Sequence, residues 1–89
     1  MKLQIDNGSW INTNHITVYY IGRNYCVDRY HNGINCCTLN GDEYLILNPE
    51  HDEVNQHLLD TVINVLCAWK LTHHTMTQEE LWREINRMK

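Results

Sequence analysis

The side chains that could do chemistry in this chain are thiols and imidazoles, and four of these ten residues lie between residues 26 and 37. Cys26, His31, Cys36 and Cys37 are the residues that could assemble a metal site there. Structural zinc sites usually carry ligands paired as C-x-x-C or H-x-x-x-H, and the sequence contains neither spacing. We therefore expect no metal and no cofactor, and we interpret all four cysteines, Cys67 included, as free thiols of a reducing cytosol.

Nucleophilic catalysis would need a thiol beside an oriented base, and His31 is the candidate base for Cys36 or Cys37. No Gly-rich oxyanion loop accompanies them, and no third residue can be named that would orient the imidazole. His57 and Cys67 lie ten residues apart on a predicted helix, about 15 Å along its axis, so they cannot act together. The sequence therefore predicts a protein that is not an enzyme, although an enzyme using Cys36 or Cys37 stays an alternative.

The balance of charge restricts the class of partner. The chain has 89 residues, with Lys+Arg 7 against Asp+Glu 11 and a net charge of −4. A negative domain repels phosphate backbones, so we expect no direct binding of nucleic acid. The longest apolar runs are about four residues, far short of a membrane span, and the N-terminus lacks the apolar region of a signal peptide. These features predict a cytoplasmic protein with no membrane association.

Turn signals that contain glycine punctuate the first half of the chain and then stop. Asn-Gly between β-forming residues is a strong hairpin signal, because Asn and Gly tolerate the positive φ of a type I′ turn. Residues 1–47 are therefore predicted to form an antiparallel β-meander of four to five strands, including a short ribbon of residues 3–5 and 10–11. The four turn signals are Asp6-Asn7-Gly8, Gly22-Arg23-Asn24, Asn32-Gly33 and Asn40-Gly41-Asp42.

Helical periodicity replaces the turn signals after Asn48. With Asn48 as N-cap and Pro49 in the first turn, a long amphipathic helix is predicted over residues 48–71. Thr77 and Glu80 have the spacing of a capping box, which predicts a second helix over residues 77–88. The chain as a whole, residues 1–89, is predicted to be one α+β domain.

The predicted register divides the tyrosines between the two faces of the sheet. If the turns are two-residue loops at 23–24, 32–33 and 40–41, then Tyr19, Tyr30 and Tyr44 share one face. We expect the long helix to cover the opposite face, which carries Ile16, Val18, Tyr20, Val27, Ile34, Cys36, Leu45 and Leu47. The tyrosine face is then either covered by the second helix or open for a partner. Because tyrosine buries a large ring at low entropic cost, Tyr19, Tyr30 and Tyr44 are predicted partner-binding residues.

A run of carboxylates lies where the predicted meander passes into the predicted helix. Glu50, Asp52 and Glu53 could simply occupy the first helical turn, where the helix dipole favours anions. They could instead form an acidic docking surface for a basic partner. We include all three among the predicted partner-binding residues.

A short acidic chain that is rich in Asn, with an Asn-Gly-punctuated meander, flanking helices and no catalytic motif, resembles small phage-encoded host-takeover proteins. Among these it is similar to anti-CRISPR and other anti-defence inhibitors. The resemblance implies a non-enzymatic inhibitor that binds a host defence protein or protein–nucleic-acid complex stoichiometrically, in the cytoplasm of a bacterial host. It also implies that the acidic stretch from Asp42 to Asp60 could compete for a basic groove. The alternative is a small antitoxin, immunity or accessory subunit that acts as a homodimer.

Overall fold

The computed structural model describes residues 1–49 and 53–88, and it folds them into two three-stranded sheets and two helices. The predicted α+β class is confirmed, with five strands before the helices and a sixth, unpredicted strand between them. The strands are β1 (Lys2–Gln4), β2 (Trp10–Asn12), β3 (Ile16–Cys26), β4 (Arg29–Thr38), β5 (Glu43–Leu47) and β6 (Thr75–Met76). The helices are α1 (Gln56–Trp69) and α2 (Gln78–Arg87).

The first sheet joins the N-terminal ribbon to the segment between the two helices. β1 and β2 form the predicted antiparallel ribbon, closed by a turn in which Gly8 has a φ of +88°. β6, from the segment between the helices, pairs parallel to β1 in the order β2-β1-β6. The sequence predicted only a linker at this position, because a two-residue strand has too little pattern to be recognised.

The second sheet is an antiparallel meander in the order β3-β4-β5. The predicted turns at residues 22–24 and 32–33 are wrong, because these residues lie inside β3 and β4, where Gly22 is directly opposite Gly33. The chain reverses instead at Val27 and Asp28, whose φ angles are +44° and +69°. Asp tolerates positive φ but a β-branched valine rarely adopts it, so the pair Val27-Asp28 does not read as a turn signal.

Because the chain turns at Val27 and Asp28, α1 covers a different face of the second sheet from the one predicted. Tyr19, Cys36 and Tyr44 lie opposite one another across the three strands, and Ile34 follows on the same side. This face packs against the core with α1, whereas Val18 on the opposite face is 49% exposed. The prediction that the helix leaves the face of Tyr19 and Tyr44 open is therefore wrong. In the observed register, Ile34 and Cys36 of β4 lie on the same face as Tyr19 and Tyr44. These residues make that face the more apolar one, and it is therefore the face that is buried.

Helix α1 begins later than predicted. Its N-cap is Asn55, whose side-chain oxygen accepts a hydrogen bond of 3.0 Å from the backbone N–H of Leu58. Asn48 and Pro49 are not helical, so the predicted start at residue 48 is wrong. An asparagine at residue 55 satisfies an N–H of the first turn as well as Asn48 would have done. The buried stripe of α1 consists of Leu58, Leu59, Val62, Val65 and Leu66.

Helix α2 begins with the capping box that the sequence predicts. The Glu80 N–H donates to the Thr77 hydroxyl at 3.1 Å, and the Thr77 N–H donates to the Glu80 carboxylate at 2.9 Å. The bond from the Thr77 backbone lowers the pKa of Glu80. Next to the cap, the Gln78 amide donates to the carbonyls of Gln4 and Ile46 at 3.0 and 3.1 Å. One side chain at the start of α2 therefore ties the first sheet to the second.

The core lies between the two sheets and the two helices. Every element except β2 and β3 supplies fully buried residues to it, and β3 contributes the half-buried Ile16 and Tyr19. A shift in register between Ile34 and Asn35 allows consecutive residues of β5, Ile46 and Leu47, both to be buried. The largest fully buried side chains are Leu3, Ile5, Ile34, Ile46, Leu47, Met76, Leu81 and Ile85.

Candidate protein-binding site

The structure separates the six residues predicted to contact a partner. Tyr19 and Tyr44 are half-buried and pack against the core. Tyr30 is exposed at the far end of the β3–β4 hairpin. Glu53 is exposed and lies two residues before the N-cap of α1, so it is outside the helical turn. The remaining two, Glu50 and Asp52, lie outside the described residues.

The far end of the β3–β4 hairpin extends beyond the third strand. β5 pairs only with residues 34–37 of β4, so residues 22–33 form a two-stranded ribbon, here named the arm. Its strands stay paired to the end, where Cys26 is opposite Arg29. A ribbon of two strands must be held by its own side chains and by its attachment to the sheet.

Side chains at the base hold the arm in place. The amides of Asn24 and Asn35 exchange two hydrogen bonds of 2.9 Å across the strands, and Asn24 also donates to the carbonyl of Gly22 at 3.2 Å. Asn35 is buried, so its amide needs this partner. A Cβ on Gly22 would lie 2.6 Å from Asn35, and a Cβ on Gly33 would lie 2.6 Å from Leu45. The two glycines therefore make room for the layer of side chains that anchors the arm.

The arm presents a compact aromatic and cationic cluster. The rings of Tyr25 and Tyr30 meet edge to face with centroids 5.1 Å apart. The Arg23 guanidinium lies 4.7 Å from the centroid of Tyr30. Tyr25 is 63% and Tyr30 59% exposed, so the cluster is organised without being buried. Tyrosine and arginine dominate the energetics of protein interfaces, since they combine large contact area with specific polar groups.

The tip of the arm combines exposure with backbone strain. Val27 is 89% exposed and has a φ of +44°, a conformation that costs energy for a β-branched residue. Asp28 follows at +69°. The exposed valine side chain gains no burial energy that would offset this strain. Packing within the chain therefore does not explain why valine occupies this position. Strained positions of this kind concentrate at binding and switch regions.

Two open clefts lie beside the second sheet. One, of about 390 Å³, is lined by residues 5–7 of the first turn, residues 24–26 of the arm and residues 43–45 of β5. The other, of about 460 Å³, includes Trp10, Leu39 and Tyr44 together with polar residues from both sheets. Trp10 and Leu39 are exposed, so this cleft, here named the Trp10 cleft, is a second surface with apolar contact area.

Sequence reasoning found one member of the arm cluster and missed the others. Tyr30 is a predicted partner-binding residue, whereas Arg23 was placed in a predicted turn and Tyr25 was not selected. The available signal was the spacing of Ile21, Arg23 and Tyr25, since alternate residues lie on one side of a strand. That signal becomes visible only when β3 is known to run unbroken through Gly22.

The candidate catalytic groups are not brought together. Burial raises the pKa of the Cys36 thiol to about 11, which keeps it protonated. His31 and Cys36 lie five residues apart on one strand, roughly 17 Å at the rise of an extended chain. All four cysteines are free thiols. Within residues 1–49 and 53–88, no group of three or more His, Cys, Asp or Glu side chains is placed to hold a metal ion.

Neither α1 nor α2, the helices of the described part of the chain, has the length and apolar character needed to cross a membrane. No known protein family, no curated protein and no solved structure matches this chain.

Proposed function

We propose that this chain is a non-enzymatic protein-binding inhibitor and that the arm is its binding surface. The observation that carries the proposal is the exposed cluster of Tyr25, Tyr30 and Arg23, held edge to face and by cation–π contact. A preformed cluster loses little side-chain entropy on binding, which makes a larger share of its contact energy available for affinity. The resemblance to anti-defence proteins supports a host defence protein or protein–nucleic-acid complex as the target.

The charge of the arm differs from that of the whole chain. Arg23 and Arg29 against Asp28 make it locally cationic, whereas the chain carries a net charge of −4. A partner surface with an apolar centre and acidic groups at its rim would complement the two rings and the two arginines. This differs from an acidic decoy for a nucleic-acid groove, because the exposed cluster brings positive charge to the interface.

The test compares three immobilised proteins in the same bacterial lysate. They are the wild-type chain, an arm variant (Arg23→Ala, Tyr25→Ser, Tyr30→Ser) and a control variant in the Trp10 cleft (Trp10→Ser, Leu39→Ser). Both variants remove exposed side chains, so circular dichroism and melting temperature should stay close to wild type. We expect the wild type and the control to retain a protein that the arm variant does not.

The retained protein is then purified and titrated with each variant. Hot-spot residues cost about 2 kcal/mol or more, so loss of the cluster should weaken binding at least 30-fold. A defence assay with the same variants should show inhibition that saturates at one chain per target. Loss of binding in the Trp10-cleft variant together with full binding by the arm variant would refute the arm as the binding surface.

A further inference from the structure

Strand β3 forms an edge of the second sheet. In the order β3-β4-β5 it has a neighbour on one side, and within the described parts of the chain that neighbour, β4, is its sole strand partner. Every second residue of such a strand directs its backbone N–H and C=O away from the sheet. The outer edge of β3 is therefore a row of backbone donors and acceptors available to another strand.

Beyond the register shift between Ile16 and Val18, this edge lacks the features that usually protect edge strands. Residues 17–22 have the sequence TVYYIG, with β-forming side chains and no charge or proline. Natural sheets normally place lysine, proline or an inward charge on a long free edge, because an unprotected edge pairs with other chains. Val18 and Ile21 are exposed beside it, so a second strand would also bury apolar surface.

The helix beside this edge indicates which strand would pair. One side of α1 carries a second set of residues at helical spacing, distinct from the buried stripe and here named the stripe. It consists of Asp60, Ile63, Cys67 and Lys70. The last three line a small cleft with Ile16 and Tyr19, so this stripe flanks β3. Asn64 and Ala68, on the other side of α1, face α2 across a separate groove. The stripe is thus on the side of α1 next to the free edge of β3, with an acid at one end, a base at the other and apolar groups between.

We propose that β3 pairs antiparallel with β3 of a second copy of this chain over residues 18–22, with Tyr20 of each copy at the two-fold axis. A two-fold axis perpendicular to the sheet places both α1 helices on one face, side by side and running in opposite directions. The stripe is complementary to itself under that rotation. Asp60 of each copy faces Lys70 of the second copy, and Ile63 faces Cys67 of the second copy. The dimer is independent of the arm cluster and would carry two arms.

The experiment measures the mass of the full chain in solution by sedimentation equilibrium. The wild type should approach 21.2 kDa, twice the chain mass of 10.6 kDa, as concentration rises. Val18→Lys places a charge beside the edge, and Lys70→Glu places like charges opposite each other across the axis. Both should weaken dimerisation at least tenfold, while Lys2→Glu, the same charge change on β1, should leave it unaltered.

The decisive variant exchanges the two ends of the stripe. Asp60→Lys combined with Lys70→Asp restores opposite charges across the axis, and it should recover dimerisation that each single change weakens. Circular dichroism identifies any single variant that has unfolded. In that case, the comparison of the exchange variant with the wild type tests the proposal. A wild type that stays at 10.6 kDa at all concentrations, or a dimer unaffected by both Val18→Lys and Lys70→Glu, would overturn the proposal.

Discussion

The side-chain amides of Asn24 and Asn35 face each other across β3 and β4 and exchange two hydrogen bonds of 2.9 Å. The pair lies at the base of the arm, above the glycine at residue 22, where a Cβ would come within 2.6 Å of Asn35. Asn35 is only 7% exposed. A buried amide that loses its partner costs about 1–3 kcal/mol, so this contact links the packing of the sheet to the position of the arm.

We predict that Gly22→Ala lowers the free energy of unfolding by about 1–3 kcal/mol, because the new methyl group overpacks against Asn35. In a Gly22→Ala, Asn35→Ala double variant the methyl group meets no amide. The double variant should therefore be more stable than the sum of the two single changes implies, with a coupling of about 1 kcal/mol. Urea unfolding of the four proteins measures this coupling, and strictly additive values would contradict the contact.

We predict that the three tyrosines first expected to bind a partner divide into two groups. Tyr19→Ala and Tyr44→Ala should each lower the free energy of unfolding by about 1–3 kcal/mol, because both rings pack against the core. Tyr30→Ala should change it by less than about 1 kcal/mol, because its ring is exposed. Thermal melts of the three variants check this division. Equal losses of stability in all three would mean that the arm is part of the core.

We predict that relieving the strained turn stabilises the fold. Val27→Asn with Asp28→Gly introduces the residues that type I′ turns prefer, and it should raise the free energy of unfolding by about 1 kcal/mol. Most of the gain should come from Val27→Asn alone, since a β-branched residue is the more strained of the two at positive φ. Thermal unfolding of the single and double variants provides the comparison. A decrease in stability would show that Val27 makes contacts that offset its strain.

We predict that ionisation of Tyr19 and Tyr20 lowers stability in alkaline solution from about pH 10 upward. Burial, with the nearby Cys36 and Cys67 thiols, raises the pKa of Tyr19 from 10.0 to about 12. Burial and a short hydrogen bond of 2.5 Å to the Glu43 carboxylate raise the pKa of Tyr20 to about 12 as well. The folded state holds these protons more tightly than the unfolded state, so the stabilisation is complete below pH 10 and is lost as pH rises toward 12.

Melting temperatures of the wild type and of Tyr20→Phe between pH 8 and pH 12 measure this loss. The phenylalanine variant cannot ionise at residue 20, so its stability should fall less steeply above about pH 10. Tyr25→Phe, a ring exposed on the arm, serves as the matched control. Parallel pH profiles for wild type and Tyr20→Phe would show that the Tyr20–Glu43 contact does not hold the proton.

Local patterns that satisfy backbone groups within a few residues were predictable. The capping box of Thr77 and Glu80 predicted the start of α2, because both of its hydrogen bonds close within one turn. The ribbon of β1 and β2 followed from its Gly8 turn. The predicted start of α1 was wrong, because Asn48 and Asn55 both offer a capping side chain and the local sequence does not choose between them.

The candidate site was less predictable than the fold. Tyr30 could be selected from residue type alone, but its partners Tyr25 and Arg23 required the register of β3 and β4. The glycines at residues 22 and 33 were interpreted as turn residues, since glycine is common in turns. In the structure they are opposite each other inside strands, where the absence of a side chain makes room for Asn35 and Leu45.

By itself the sequence determined the α+β class, the β-rich first half followed by two helices and the cap of α2, since these depend on periodicity and on contacts between near neighbours, whereas β6 between the helices was not predicted. Only the tertiary structure decided that the chain turns at Val27, which face of the sheet α1 covers and that Arg23, Tyr25 and Tyr30 form one cluster. A change of one residue in strand register exchanges the faces of every later side chain, and local propensity carries too little energy to choose between registers. Burial of the apolar face makes that choice, and burial depends on the whole chain.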